Sequence, residues 1–191
     1  MNIVRSNLLS IAVIGCLLPG ITKADNVFDE KLDQIERDLE VARYQGLAQV
    51  QADPHNRLTP FVTDGCSGGL SDGWRFLAKT LPAFKRKFGD RPPYEGCCVD
   101  HDRAYWRGET VDGFDKRLQA DKSLRRCVVN YGKAHRDEFA REFQLAPTTI
   151  ERNFHIVAAL MYRAVRVGGG PCTPFPWRWG YGWPPCHAQD E

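Results

Sequence analysis

Long apolar runs are scarce in this 191-residue chain. Beyond residue 24 no stretch approaches the ~20 apolar residues that a spanning helix needs, which excludes a transmembrane segment from that part. Net charge is scarce too, since 26 Lys and Arg against 24 Asp and Glu leave only +2. A leader ending at Ala24 would carry off Arg5 and Lys23 and no acid, taking +2 to 0. A globally basic nucleic-acid binder is therefore disfavoured. There is no convincing two-residue alternation to mark strands and no internal repeat to mark a solenoid or propeller. A mostly helical chain is left, with one domain as the default for this length.

Residues 1–24 have the make-up of a secretory signal. Arg5 supplies a thin positive start, Leu8 to Leu18 the apolar stretch, and Pro19-Gly20 a break before the small-residue end at Ala24. Val13-Ile14-Gly15-Cys16 offers an alternative, a lipoprotein cleavage box anchored at Cys16. Cleavage after Ala24 leaves Cys66, Cys97, Cys98, Cys127, Cys172 and Cys186. An even set in an exported chain, secreted or periplasmic, argues for disulfides in an oxidising compartment. The organisation read from the sequence is a signal over 1–24, a helical domain over 25–170 and an aromatic tail over 171–191.

Residues 26–51 show apolar residues at three- and four-residue steps (Phe28, Leu32, Ile35, Leu39, Ala42), and predict an amphipathic packing helix without chemistry. After Asp53-Pro54 comes a glycine-rich loop, Thr63-Asp64-Gly65-Cys66-Ser67-Gly68-Gly69, read either as a ligand-approaching loop or as a plain turn. Residues 71–88 predict a helix with Trp74, Leu77, Leu81, Phe84 and Phe88 on one side, kinked or split at Pro82. Lys85-Arg86-Lys87 and Arg91 form a basic cluster, read as a solvated face or as a head-group contact. Pro92-Pro93 precede a central helix that Gly108 ends. Two long helices follow, within 111–130 and over 147–166, the second carrying Ile150, Phe154, Val157, Ala158, Met161 and Val165 on one face. The tail offers Trp177, Trp179, Tyr181 and Trp183 either to a membrane interface or to the protein's own core, with Cys172 and Cys186 able to close it into a loop.

The chemistry concentrates in GCCVDHDRAYW, residues 96–106. On a helix Cys97, His101 and Tyr105 fall at i, i+4 and i+8, while Cys98 and Asp102 share a neighbouring stripe. A neutral imidazole beside a carboxylate suits a general base next to a hard-cation site. Helix geometry suggests a wiring in which Cys98 bonds Cys66 and pins the glycine loop against Asp102. Cys97 would then bond Cys127 and bring the next helix against His101, although six cysteines allow several connectivities. If those helices are antiparallel, His101 lies ~6 Å along from Cys97 and Asp121 ~9 Å back from Cys127, at similar heights. Asp100 points away from both stripes, and His55, His135, His155 and His187 have no comparable neighbours.

CCVDHDRAY resembles the active-site helix of the secreted phospholipase A2 family, with two cysteines, two spacers, His-Asp and a tyrosine. Asp121 followed by five residues and Cys127 is similar to that family's second active-site helix. The likeness covers about residues 60–130 and is closer to the bacterial and fungal branch, because Ala104 stands where animal enzymes carry cysteine. The resemblance implies a disulfide-linked antiparallel helix pair with additional packing helices. It also implies calcium-dependent hydrolysis of the sn-2 ester of phospholipids at a membrane surface. His101 would be the base, Asp121 its partner and Tyr105 the holder of Asp121. Asp102, the Gly65 carbonyl and Asp64 would be the Ca²⁺ ligands. The alternatives are a non-catalytic membrane- or receptor-binding protein on that scaffold, a serine nucleophile at Ser67 and a zinc site at Cys97, Cys98 and His101.

Overall fold

A computed structural model describes residues 23–66, 79–80, 85–86 and 89–186. Residues 1–22 of the signal read over 1–24, the glycine loop from Ser67 to Gly69 and His187 lie outside the described residues, while Lys23 and Ala24 open the first helix. So does most of the helix read over 71–88, of which Lys79, Thr80, Lys85 and Arg86 are described and helical. Among the described residues there are five longer helices and no strand: α1 (Lys23–Ala52), α2 (Glu95–Arg107), α3 (Gly113–Ala134), α4 (Arg136–Phe143) and α5 (Pro147–Gly168). None of them is long and apolar enough to cross a membrane. Two compact units divide the chain, Met1–Ile35 and Glu36–Glu191, and the candidate site lies in the second.

Helix boundaries follow local chemistry. Pro147 opens α5, where its missing N–H would have had no partner and its fixed φ suits a helix start. Gly108 ends α2 in the left-handed region (φ 60°), its N–H bonded to the Ala104 carbonyl. α2 and α3 run antiparallel, since Cys97 meets Cys127, His101 meets Asp121 and Tyr105 meets Arg117 in turn. α3 and α5 are antiparallel as well, with Arg117 against Val165 at one end and Gly132 against Phe154 at the other. The short α4, which the sequence reading did not anticipate, packs on α5 and stacks Phe139 on Phe154 at 5.7 Å.

Three disulfides staple these elements: Cys66–Cys98, Cys97–Cys127 and Cys172–Cys186, with Cα–Cα separations of 5.0, 5.7 and 5.3 Å. Such bonds fit folding in an oxidising compartment. Two apolar clusters form the core. One gathers Cys97, Leu124, Val128, Ala158 and Met161, and the other gathers Tyr44, Leu47, Tyr105, Phe114 and Trp179. On α2 the first cluster takes Cys97 and the second Tyr105, so His101 falls at their seam. On α3 Asp121 does the same, between Leu124 and Phe114.

α1 corrects the sequence reading. Of its expected apolar face, Ile35 is 57 % and Leu39 68 % exposed and Ala42 is exposed as well, while the side chains of Phe28 and Leu32 lie outside the described residues. The buried side is Glu40, Tyr44, Leu47 and Val50. The reason is electrostatic and positional: Glu40 engages Arg117 of α3, and that ion pair carries Tyr44 and Leu47 inward on the same side.

Candidate active site

Two residues of the same turn of α2, His101 and Asp102, are buried but face different surroundings. His101 Nε2 lies 2.8 Å from Asp121 Oδ1, and the Tyr105 hydroxyl donates to the same oxygen at 2.7 Å. Arg166 of α5 donates from Nη1 to Asp121 Oδ2 at 3.0 Å, and Arg117 Nη1 stands 3.5 Å from that oxygen. Arg117 is in turn gripped by the Glu40 carboxylate through Nη2 and Nε. Arg117 and Asp121 are each 0 % exposed. Two arginines and two carboxylates cancel, which is the condition for burying four charges in an apolar setting.

The charges set the proton positions. Burial alone would raise the Asp121 pKa, but the His101 hydrogen bond and the His101, Arg117 and Arg166 charges outweigh it and hold the carboxyl below its ordinary value. An ionised Asp121 only accepts, so His101 Nε2 carries the proton and Nδ1 is the basic nitrogen. Burial opposes charge on the imidazole, yet Asp102 and Asp121 prevail and raise the His101 pKa. Burial and the Asp121 charge push the Tyr105 phenol well up, which keeps it protonated as a donor. A cavity of about 380 Å³, lined only by α2 and α3 residues, includes His101, Ala104, Ala120 and Leu124 in its wall.

Asp102 has a looser setting. Its Oδ2 accepts from the Thr63 hydroxyl at 2.5 Å, while Oδ1 stands 3.7 Å from His101 Nδ1, beyond hydrogen-bonding distance. Thr63 Oγ1 also accepts from the Gly65 N–H at 3.0 Å. Gly65 sits at φ 78° beside the Glu95 carboxylate, a left-handed conformation that favours glycine. The Cys66–Cys98 bond then closes this loop onto α2 one turn before Asp102. Asp64 is exposed on the loop. Burial first, and then the Asp102 and Asp64 charges, raise the Tyr181 pKa, so both carboxylates act on one phenol.

His101, Asp121 and Tyr105 thus form one group, and Asp102 and Gly65 meet through Thr63 in an adjoining one. Asp64 is exposed on the same loop, and Ser67 lies outside the described residues. Among the described residues no three His, Cys, Asp or Glu side chains cluster as a metal site. A cation here would rest on Asp102, Asp64 and loop carbonyls such as that of Gly65. Such an all-oxygen donor set fits a hard ion like Ca²⁺ and not zinc. The cysteines of the zinc alternative, Cys97 and Cys98, are consumed in disulfides. His135 stacks on Tyr131 at 4.1 Å and its Nδ1 meets the Tyr131 carbonyl, a local structural role.

Sequence reasoning missed Glu40, Thr63, Arg117 and Arg166. Arg117 had a signal: it precedes Asp121 by one helical turn, on the inward stripe with Phe114 and Leu124. Of the tail aromatics Trp179 goes into the protein's own core, edge-on to Tyr105 at 5.1 Å with its indole donating to the Glu109 carbonyl, while Trp177, Tyr181 and Trp183 are half-buried. No family model, curated protein or solved structure matches this chain.

Proposed function

We propose that the chain is a calcium-dependent phospholipase A2 that cleaves the sn-2 ester of glycerophospholipids at a membrane surface. The observation that supports this reading best is the 2.8 Å contact of His101 Nε2 with a buried, ionised Asp121, which leaves Nδ1 as the base beside Asp102. Nδ1 takes a proton from the attacking water, and Asp121 stabilises the resulting imidazolium while Tyr105 and Arg166 keep Asp121 in place. General-base help of this kind is typically worth about 10²–10⁴ in rate.

Asp102, Asp64 and the Gly65 carbonyl would hold the cation. Calcium, when bound, supplies polarisation of the ester carbonyl and stabilisation of the developing oxyanion. Thr63 fixes one oxygen of Asp102, and the Cys66–Cys98 bond fixes the loop from the other side. Few carboxylates suit the weak extracellular affinity range, about 10⁻⁴–10⁻³ M. Export of the chain belongs to the same proposal.

The test is release of fatty acid from mixed phospholipid vesicles with millimolar calcium and with chelator. Release that chelator stops, and that a serine-directed acylating reagent leaves intact, is the expected result. Vesicle binding without release would replace this reading with the non-catalytic binding module, and inhibition by the serine reagent would move the chemistry to Ser67.

A further inference from the structure

The tail does more than cover the core. Gly180 N–H donates to the Tyr105 carbonyl at 2.7 Å, Gly182 N–H to the Trp106 carbonyl at 3.1 Å, and the Trp183 indole to the Arg107 carbonyl at 3.0 Å. The same loop turns back to the stretch that precedes the cation loop. Thr59 donates to the Gly182 carbonyl from both N–H (2.9 Å) and hydroxyl (3.0 Å), and the Tyr181 hydroxyl donates to the Val62 carbonyl at 2.7 Å. Val62 is the residue before Thr63, whose own hydroxyl holds Asp102. One disulfide-closed loop therefore grips the end of α2 with one hand and the base of the cation loop with the other.

We propose that Tyr181 is a positioning residue for the cation site: by fixing the Val62 carbonyl it sets the loop that carries Asp64 against the helix that carries Asp102. This rests on the calcium reading above and deepens it by naming a remote part of the chain that sets the ion's affinity. The physical need is plain. A site that uses both Asp102 and Asp64 brings two carboxylates together, and their mutual repulsion opposes that approach when no ion is there. Ties made during folding meet that repulsion beforehand, and binding is tighter by the amount saved. Tyr181 is well placed for this, because its ring lies within the field of both carboxylates and its hydroxyl is bonded to the loop backbone.

The experiment is a calcium titration of the full disulfide-bonded chain by calorimetry without lipid, paired with a thermal melt in chelator. Three variants are compared with the parent: Tyr181→Phe, Thr59→Val and, as the ligand control, Asp102→Asn. Loss of one such hydrogen bond is expected to weaken calcium binding about 3- to 10-fold in Tyr181→Phe, with a melt in chelator close to the parent's. Thr59→Val removes the hydroxyl bond of the neighbouring tie to Gly182, keeps its N–H bond, and is expected to weaken binding in the same direction by a smaller factor. Should Tyr181→Phe give no cooperative melt, Thr59→Val decides on the same criterion. Calcium affinity equal to the parent's overturns the proposal while leaving the enzyme reading untouched, and a lowered melt with unchanged affinity does the same by reducing Tyr181 to a structural tie. A parent chain that takes up no calcium overturns both.

Discussion

Asp121 and Asp102 flank the same imidazole, and the two sides of His101 are built on opposite plans. On the Asp121 side Oδ1 takes His101 and Tyr105 while Oδ2 takes Arg166, and the residues come from α1, α2, α3 and α5. On the Asp102 side one threonine hydroxyl holds one oxygen, and the partner loop is tied by a disulfide, a glycine turn and a tail phenol. The first arrangement is a closed electrostatic account within the protein, with each charge answered by another. The second is an irregular loop held by a few local ties. The difference teaches which defects should spread. Damage to the first side should reach the stability of the whole fold, whereas damage to the second should be read mainly in ion response and turnover.

The sharpest break is at the residue both sides share. His101→Gln is expected to lower vesicle hydrolysis by about 10²–10⁴-fold while far-UV circular dichroism stays that of the parent; full activity would remove the base. Next comes Glu40→Gln, which leaves Arg117 buried with its strongest partner weakened. Breaking a buried pair costs about 3–5 kcal/mol, and chemical denaturation should show a loss of that order. An unchanged midpoint would mean the charges do not act as a unit.

Acid titration sharpens the contrast further. Asp121 is held below its ordinary value, so its stabilising share is complete above the ordinary carboxylate range and is lost as pH falls through the lowered folded value. The melting temperature should drop on that acid limb, and Asp121→Asn should flatten the drop. The smallest effect belongs to the other side: Thr63→Val should cost only about 0.5–1.5 kcal/mol of stability and yet shift the calcium dependence of turnover upward. A stability loss as large as that of Glu40→Gln would erase the distinction between the two sides.

The sequence carried the parts of this site that repeat with helical period. Cys97, His101 and Tyr105 share one stripe, and the spacing from Asp121 to Cys127 repeats the rise from Cys97 to His101 closely enough to set the register of two antiparallel helices. The two pairings suggested by helix geometry, Cys66–Cys98 and Cys97–Cys127, are those of the structure, as is the tail pair Cys172–Cys186. What periodicity could not carry was the burial of charge. Glu40, Arg117 and Arg166 belong to polar residue types that pattern reading assigns to the surface, and each goes inside because residues 45 to 77 positions away complete it. The misread face of α1 has the same origin. Ile35 and Leu39 are the more apolar choice, but the helix rotates to bring Glu40 to its arginine.

A thirteen-residue helix such as α2 would ordinarily fray from its carboxyl end, where four carbonyls lack partners. Here the Ala104 carbonyl is met by Gly108, Tyr105 by Gly180, Trp106 by Gly182 and Arg107 by the Trp183 indole. Amide hydrogen exchange along that last turn should therefore be as slow as in the middle of the helix, opening only with the domain. The segment bearing Tyr105 then behaves as interior masonry, and local breathing next to the imidazole is suppressed from a part of the chain some seventy residues downstream.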